Sequence, residues 1–287
     1  MGMLMSAYLM PHPPLAVPEV GRGSEGGIAQ SIASYEQIAS EIASQNPDTI
    51  IVISPHAPVV RGFHKLHVFR QDTLSGDFGN FRAAGVKLAF ENDCELVGRI
   101  AEEAKKIDVT ICGEQGREMR GLDHGTMVPL YYIQKQFVPF KIVVISVAPF
   151  PTGLFFRFGG RIADAVKASD RKVVLVASGD LSHKLTEDGP YGYDPSGPEF
   201  DRYILDCIAR NDVQSILETK ESLLEHAAQC GFYGIAMLYG AMCNENENNG
   251  LASKVYSYEG PFGVGYGFAK VWQKKAADTN MNDVETG

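Results

Sequence analysis

Three short runs of β-branched and apolar residues constrain the fold of this chain more than any other feature of its sequence. Residues 49–54 read TIIVIS, residues 141–147 read KIVVISV and residues 172–178 read KVVLVAS. None of the three alternates between apolar and polar residues, so each is typical of a strand that is buried on both faces. Such strands occur in parallel sheets that helices cover on both sides. The sequence therefore predicts an α/β fold.

Segments with apolar residues at helical spacing separate these strands. Residues 28–42 and 154–166 each carry such a stripe, and residues 4–10 predict a first strand. Residues 253–258 and 264–272 predict a terminal antiparallel pair, and a polar, glycine-containing loop is predicted to run to Asn80. Further helices are predicted over residues 94–106, 126–136, 199–210, 213–218 and 232–242.

The chain shows no internal repeat and no interdomain linker before its last residues. We interpret residues 1–273 as one domain and residues 274–287, which are polar, as a tail or linker. A count of 26 Lys and Arg against 35 Asp and Glu gives a net charge of −9. This charge offers no electrostatic reason to expect a nucleic acid or an anionic membrane as partner.

Apolar runs and cysteines indicate the class of protein and its compartment. The longest strongly apolar run, residues 142–150, is far short of the roughly 20 residues that span a bilayer. Five scattered cysteines without a CxxC pair favour neither a disulfide framework nor a zinc knuckle. The N-terminus shows no secretory signal pattern, so we expect a cytoplasmic protein with reduced thiols.

Three histidines share one sequence context, because each follows a predicted strand. His12 lies in YLMPHPP, His56 in VISPHAP and His183 in VASGDLSH. The loops beyond the carboxyl ends of parallel strands form the ligand crevice of open α/β sheets. The prolines beside His12 and His56 restrict the backbone of their loops. A single loop histidine is usually a solvated or capping residue, but three in matching positions predict a site at one edge of the sheet.

A fourth histidine, His124, lies in the sequence GLDHGT. Asp123 and Thr126 are suited to capping the helix that follows, which is a structural role. His124 would then lie at a helix N-terminus, where the helix dipole favours a neutral imidazole that can form hydrogen bonds. The remaining histidines have no such context and are interpreted as structural or surface residues: His64, His67 and His226.

Two neutral imidazoles and one anionic ligand form the facial arrangement that binds non-haem iron. The sequence does not identify the anionic ligand, because Asp180, Glu225 and Glu259 all lie in segments that reach the same region without a position that assigns one of them. Cys230, in QCGFYG, is either a ligand or, as is commoner for a lone cysteine, a buried core thiol.

Short motifs in a fixed order relate the chain to a known family. The chain resembles the class III extradiol ring-cleavage dioxygenase B-subunit (LigB-like) family, and within it the members grouped with Memo and the AmmeMemoRadiSam system. The resemblance covers residues 8–269 and rests on these motifs: PHPP at residues 11–14, SPH at 54–56, LDHGT at 122–126, SGDLSH at 178–183, CG at 230–231 and YEGPFGVGY at 258–266.

The resemblance implies a fold and a role for each matched residue. The fold would be a single three-layer α/β/α domain with a mixed, mostly parallel central sheet. His12 and His56 match the histidine ligands of the family's iron, His183 matches a proposed acid–base, and His124 matches a residue that contacts substrate or oxygen. The third ligand of the dioxygenases is a glutamate, whereas Cys230 occupies that place here, as in Memo-type members. Because a thiolate is a softer ligand than a carboxylate, zinc or copper becomes an alternative to Fe(II).

Three functions follow as hypotheses. The first is an Fe(II)-dependent, extradiol-dioxygenase-like enzyme that acts on a small aromatic diol or aminophenol with O2. The second is a Memo-like metal, redox or ligand-binding protein without ring cleavage, and the third is a metallohydrolase that uses a metal-bound water. The resemblance also implies that an AMMECR1-type domain can accompany such a chain. The sequence leaves open whether the chain forms a homo-oligomer.

Overall fold

The computed structural model describes residues 1–60, 62, 64–113, 121–243 and 250–274, in which strands and helices alternate. The strands are β1 (Met3–Met10), β2 (Thr49–Ser54), β3 (Lys65–His67), β4 (Thr73–Phe78), β5 (Ala83–Glu91), β6 (Thr110–Cys112), β7 (Lys141–Ser146), β8 (Lys172–Ser178), β9 (Leu251–Glu259) and β10 (Tyr266–Gln273). The helices are α1 (Pro18–Gly21), α2 (Ala29–Gln45), α3 (Cys94–Lys105), α4 (His124–Gln136), α5 (Thr152–Lys167), α6 (Ser196–Arg210), α7 (Val213–Leu217), α8 (Glu221–Ala227) and α9 (Phe232–Met242).

A six-stranded sheet with the order β7-β2-β8-β1-β10-β9 forms the centre of the fold. The four strands β7, β2, β8 and β1 are parallel, and β10 and β9 add an antiparallel pair at one edge. The three apolar runs in the sequence are the three neighbouring strands β7, β2 and β8. The predicted mixed, mostly parallel sheet is therefore confirmed.

Alternate residues of the central strands enter two separate hydrophobic cores. Ile51 and Ile53 of β2 pack with α3, α5 and α9, whereas Ile50 and Val52 pack with α2 and α4. Both cores exclude water, since all four side chains are fully buried. The uniformly apolar strand sequences follow from this arrangement, because a strand between two helical layers has no solvent-facing side. The three-layer α/β/α architecture is confirmed.

One expectation was wrong. The segment before Asn80, predicted as a polar loop, contains strand β4, which forms an antiparallel hairpin with β5. Leu74 and Phe78 alternate with polar residues, so β4 has one buried and one exposed face. The glycine that suggested a loop, Gly76, is needed for packing, because a Cβ there would lie 2.7 Å from the carbonyl oxygen of Leu122. The hairpin therefore packs closely against the segment that leads into α4.

The carboxyl ends of β2, β8 and β1 lie side by side, since β8 pairs in parallel with both neighbours. Any residue that directly follows one of these strands is therefore held at the same edge of the sheet. The loops that begin after Met10, Ser54 and Ser178 therefore lie at this edge.

Two glycines allow helices α5 and α9 to approach closely. A Cβ at Gly240 would overlap the carbonyl oxygen of Phe156, and a Cβ at Gly159 would overlap the carbonyl oxygen of Met237. Because α9 begins directly after Cys230-Gly231, this contact also sets where Cys230 lies.

In the described part of the chain, no helix is both long and apolar enough to cross a membrane. The tail predicted from residue 274 onwards lies almost wholly outside the described residues, so the boundary at residue 273 stays a prediction.

We predict that Gly240→Ala destabilises the protein by about 1–3 kcal/mol, because the added methyl group has no space between α5 and α9. Gly98, in the middle of α3, has nothing within 4 Å of the position of a Cβ. Gly98→Ala is therefore the matched control and should stabilise the protein by about 0.5–1 kcal/mol through its helix propensity. Urea unfolding of both variants measures the difference. Equal effects would contradict the close approach of the two helices.

Candidate metal centre

Loops from three adjacent strands and the first turns of two helices meet at the carboxyl edge of the sheet. His12 follows β1, His56 follows β2, and His183 follows β8. Helix α4 begins with His124, and Cys230 lies just before α9. The structure thus brings together all five residues that the sequence singled out.

Three of these residues present ligand atoms to one point. His12 Nε2 lies 3.1 Å from His56 Nε2 and 3.7 Å from Cys230 Sγ. One ligand atom from each residue lies within 4.8 Å of the other two, an arrangement that can hold a metal ion. His12 is buried, Cys230 is partly exposed and His56 is exposed, so the point is reached from the solvent on the His56 side.

A hydroxyl group behind His12 determines which nitrogen of the ring can bind a metal. Ser178 Oγ lies 2.9 Å from His12 Nδ1 and donates its own proton to the carbonyl oxygen of Gly125, at 2.5 Å. Because that proton is already donated, Ser178 Oγ accepts from His12 Nδ1–H. The neutral ring then carries its lone pair on Nε2, the atom that faces His56 and Cys230. Such outer hydrogen bonds fix the tautomer of metal-binding histidines.

The distances fit a shared ion. Two nitrogen ligands at about 2.1 Å from one ion lie roughly 3.0–3.4 Å apart, and a nitrogen and a thiolate sulfur lie roughly 3.1–3.6 Å apart. The observed separations of 3.1 Å for the two imidazoles and 3.7 Å for the imidazole and the sulfur agree with the first range and lie close to the second. His12, His56 and Cys230 therefore form a donor set that suits one divalent or monovalent metal ion.

Burial keeps two of these groups, His12 and Cys230, uncharged. It lowers the pKa of His12 well below the usual value, and the neighbouring His56 and His124 add to the effect. Burial and then the charge of Asp180 raise the pKa of the Cys230 thiol well above its usual value. Both shifts reflect the cost of charge in a dry site. A cation bound there would meet the neutral imidazole of His12 and would displace the thiol proton of Cys230.

His124 packs beside the ligand set. Its ring lies 4.3 Å from the ring of His56 and 5.3 Å from that of Phe81 in the hairpin between β4 and β5. Asp123 caps α4 by accepting from Thr126 N–H and also accepts from Ser54 Oγ–H at the end of β2. Burial and then the charge of His56 lower the pKa of His124 to about 4, so the ring is neutral at pH 7, as the sequence predicted.

On the other side of the ligand set lie His183 and Asp180. Asp180 Oδ2 is 4.0 Å from His183 Nε2 and 3.9 Å from His12 Nε2, and Asp180 Oδ1 accepts the backbone N–H of His12. Burial raises the pKa of Asp180 to about 6. Cys230, Asp180 and His183 also lie within 4.8 Å of one another through their ligand atoms. His183 therefore faces the same space as the metal ligands.

Two stacked tyrosines hold the loop that carries His12. Tyr35 and Tyr132 lie 4.4 Å apart in parallel planes. Tyr35 Oη–H donates to the carbonyl oxygen of Pro11 at 2.6 Å, and Tyr132 Oη–H donates to that of Ala16. The loop is thus fixed on both sides of His12 by side chains from α2 and α4.

The sequence reasoning missed Ser178 and left Asp180 as one of three carboxylates without an assigned role. Both belong to the same strand-end motif as His183, so the argument that selected the histidines applies to them equally. Of the other carboxylates considered, Glu225 is exposed on α8, and Glu259 accepts from the N–H and Oγ–H of Ser31. The three remaining histidines, His64, His67 and His226, lie outside the ligand set.

A groove of about 760 Å³ adjoins His56. Its walls come from β4, β5 and the segment before α4, and they include Ser75, Asp77, Lys87 and Asp123. The groove is large enough for a small organic molecule, and it places that molecule beside the exposed face of the ligand set.

The sequence matches, over residues 6–269, the family model described as the catalytic LigB subunit of aromatic ring-opening dioxygenase. The chain belongs to the LigB family. The expected LigB resemblance is confirmed by this match, which covers every residue of the candidate metal centre.

Curated LigB relatives include proteins of different kinds. The chain is 38% identical over 270 residues to Protein CA_C1420 of Clostridium acetobutylicum, a match over 92% of this chain and 56% of that protein. The chain thus spans little more than half the length of this relative. It is 28% identical to 3,4-dihydroxyphenylacetate 2,3-dioxygenase of Escherichia coli, over 73% of this chain and 78% of the enzyme. It is 31% identical to a MEMO1 family protein of Methanococcoides burtonii, over 42% of each chain.

A solved structure supports the same fold. The uncharacterized protein JW3007 from Escherichia coli K12 aligns with a TM-score of 0.60 at 16% identity, over 93% of this chain and 99% of that one. At this identity the likeness concerns the fold alone.

We predict that Ser178→Ala weakens metal binding about 10- to 100-fold, because His12 loses the acceptor that fixes its tautomer. Ser146 is the matched control: it is buried at the same end of β7, and its Oγ accepts from the N–H of His67 instead. Competition with a chromophoric chelator measures the affinity for Zn(II). If Ser146→Ala weakens binding as much as Ser178→Ala does, the hydroxyl behind His12 has no special role.

We predict that Cys230 binds the metal as a thiolate. Co(II) loading should give a thiolate-to-metal charge-transfer absorption that Cys230→Ser abolishes and Cys243→Ser, at the other end of α9, retains. Because the thiol pKa is raised, binding must release a proton, so affinity should rise with pH by up to about tenfold per unit. Cys230→Ser should lose this rise. An unchanged spectrum with a loss of about 1–3 kcal/mol in stability would make Cys230 a core thiol.

Proposed function

We propose that this chain is a metal-dependent enzyme of the extradiol-dioxygenase type, which acts on a small aromatic diol or aminophenol with O2. The observation that carries the proposal is the convergence of His12, His56 and Cys230 on one point, with His124 and His183 close by. The membership of the LigB family and the relation to 3,4-dihydroxyphenylacetate 2,3-dioxygenase support the same reaction type.

In this proposal His12, His56 and Cys230 hold the ion, and Fe(II) is the metal that the reaction type requires. Zinc and copper are the alternatives, because Cys230 is a softer ligand than a carboxylate. When bound, such an ion supplies Lewis acidity towards the hydroxyl groups of the substrate and, if it is iron, one-electron chemistry towards O2.

His183 is proposed to move the proton. The imidazole is only 18% exposed, faces the ligand set and lies 4.0 Å from Asp180 Oδ2. Its Nδ1, a buried atom, has no hydrogen-bond partner among the described residues. An imidazole can take a proton from a substrate hydroxyl and return it later, which typically contributes about 10²- to 10⁴-fold to a rate.

His124 is proposed to form a hydrogen bond with the substrate or with oxygen. Because its pKa is about 4, the ring is neutral at pH 7 and offers one N–H and one lone pair rather than a charge. Its contact with Phe81 places an aromatic wall from the hairpin over the same space. The groove beside His56 would receive the substituents of the substrate ring.

Cys230 favours a second candidate function. A site with two imidazoles and a thiolate suits a metal or redox protein of the Memo type that has no ring-cleaving turnover, and a MEMO1 family protein is among the relatives. Cytoplasmic location, homo-oligomers and an accompanying AMMECR1-type domain are further proposals that rest on the family.

Anaerobic loading with Fe(II), followed by oxygen-electrode measurements, separates the two candidates. Catechol, 3,4-dihydroxyphenylacetate and 2-aminophenol are the probes, and His12→Ala is the control that lacks a ligand. Substrate-dependent oxygen uptake that requires His12 supports the dioxygenase. An iron-loaded protein that consumes no oxygen with any of these probes would refute it and leave the Memo-like function.

We predict that His183→Phe retains its metal but loses at least about 100-fold in turnover, because an aromatic ring of similar size cannot carry the proton. Metal analysis and oxygen uptake on the same preparation measure both quantities. His226→Phe, on the exposed side of α8, is the matched control and should change neither. Loss of metal in His183→Phe would instead make His183 a ligand.

A further inference from the structure

The loop that carries His183 is held through every backbone amide. Each N–H from residue 179 to residue 185 lies within hydrogen-bond distance of an acceptor in the described structure. The acceptors, in chain order, are the carbonyl oxygen of Met10, Cys230 Sγ, the carbonyl oxygen of Gly265, Asp201 Oδ1, the carbonyl oxygen of Ala227, Ser182 Oγ and the carbonyl oxygen of Gly263. Only one of these acceptors is a carboxylate.

That carboxylate belongs to Asp201 in the middle of α6. Its Oδ1 accepts from the N–H of Ser182, the residue before His183, at 2.7 Å. Its Oδ2 accepts from the hydroxyl of Tyr258 on β9, also at 2.7 Å. Asp201 is 1% exposed. One side chain therefore joins a helix and the edge strand of the sheet to the loop of His183.

The segment that leads into β10 packs closely against the Asp201 carboxylate. Gly265 N–H donates to the carbonyl oxygen of Ser182, and the N–H of Leu181 donates to the carbonyl oxygen of Gly265. A Cβ at position 265 would overlap Asp201 Oδ2. Gly265, the last glycine of the EGPFGVG motif, is therefore required because a side chain at this position would displace Asp201.

Among the described residues, the Asp201 carboxylate has no compensating cation. Within the described residues, no Lys, Arg or His nitrogen forms an ion pair with Asp201, and burial raises the pKa of the group to about 6. Burial of a carboxylate without a cation is costly, and a neutral residue could fill the same space. We therefore interpret the Asp201 carboxylate as a group that holds the loop of His183 in place rather than as one that stabilises the fold.

The position of the His183 ring depends on this backbone. The N–H of His183 donates to the carbonyl oxygen of Ala227, while the ring lies 4.0 Å from Asp180 Oδ2 and makes an edge contact with Tyr191, at 5.6 Å between centroids. Tyr191 is 63% exposed, so it offers weak support. A shift of the backbone at Ser182 would move the imidazole relative to the metal ligands.

We propose that Asp201, braced by Tyr258, is a positioning residue that holds the Ser182–His183 backbone so that the His183 imidazole faces the metal centre. Its importance for turnover rests on the proposed function, in which His183 moves the proton. The hydrogen bond from the N–H of Ser182 to Asp201 does not depend on that function, and its effect on the loop can be measured without turnover.

The test uses the metal-loaded full chain and four variants. Asp201→Ala removes the acceptor, and Asp201→Asn keeps an oxygen for the N–H of Ser182. Tyr258→Phe removes only the hydroxyl that donates to Asp201 Oδ2. Tyr256→Phe is the matched control, because its hydroxyl lies two residues away on β9 and donates to Glu41 instead. Amide hydrogen exchange of residues 179–185, kcat, KM and metal content are measured for each.

In Asp201→Ala we expect exchange in this loop to become at least about tenfold faster, and kcat to fall about 10- to 100-fold. KM and metal content should stay within about twofold, which a general loss of structure would not allow. Asp201→Asn should restore both exchange and kcat to within about threefold. Tyr258→Phe should show an intermediate loss, and Tyr256→Phe should resemble the unchanged protein.

Unchanged loop exchange in folded Asp201→Ala would overturn the proposal, and so would Asp201→Asn being as impaired as Asp201→Ala. If Asp201→Ala does not fold, Tyr258→Phe is the deciding variant. Amide exchange of residues 179–185 in Tyr258→Phe that equals the exchange in Tyr256→Phe would then overturn the proposal. If the unchanged protein turns over no diol or aminophenol, the proposed function fails, while the exchange measurements still decide whether Asp201 holds the loop.

Discussion

The parallel pairing of β8 with β2 on one side and β1 on the other is the constraint on which the rest of the structure depends. Because the three strands end at one edge, His56, His183 and His12 reach the same space although they are far apart in the chain. The hydrogen bond between His12 and Ser178 joins two of these strands directly behind the candidate metal centre. The helical layers on both faces stabilise the sheet and deliver His124 and Cys230 to the same edge.

The electrostatics of the site favour a bound cation. Burial keeps His12 and His124 neutral and raises the pKa of the Cys230 thiol, so the site carries little positive charge of its own. Asp180, whose pKa burial raises to about 6, lies within 4.0 Å of imidazole nitrogens on two sides. A metal ion would relieve the unfavourable burial of these groups, because it supplies a positive charge next to His12 Nε2 and Cys230 Sγ.

The third ligand decides between the candidate functions. In the proposed extradiol enzyme the ligand set is two histidines and an anion, and the soft sulfur of Cys230 takes the place of a hard oxygen. Asp180 is the nearest carboxylate, but its Oδ1 already accepts from the N–H of His12 and so anchors the loop. In the proposed function, the chemistry therefore depends on how a thiolate ligand changes the preference of the site for iron.

The sequence by itself determined the α/β class, the buried strands and the histidines at their ends, because apolar patterning and strand-end position are local properties. It could not reveal the β4–β5 hairpin, whose strands are half polar, or the roles of Asp180, Ser178 and Asp201. Those roles come from contacts between residues 19 to 168 positions apart, which the sequence pattern does not reveal. Local sequence cannot encode which hydroxyl lies behind which imidazole, since that depends on how the layers pack.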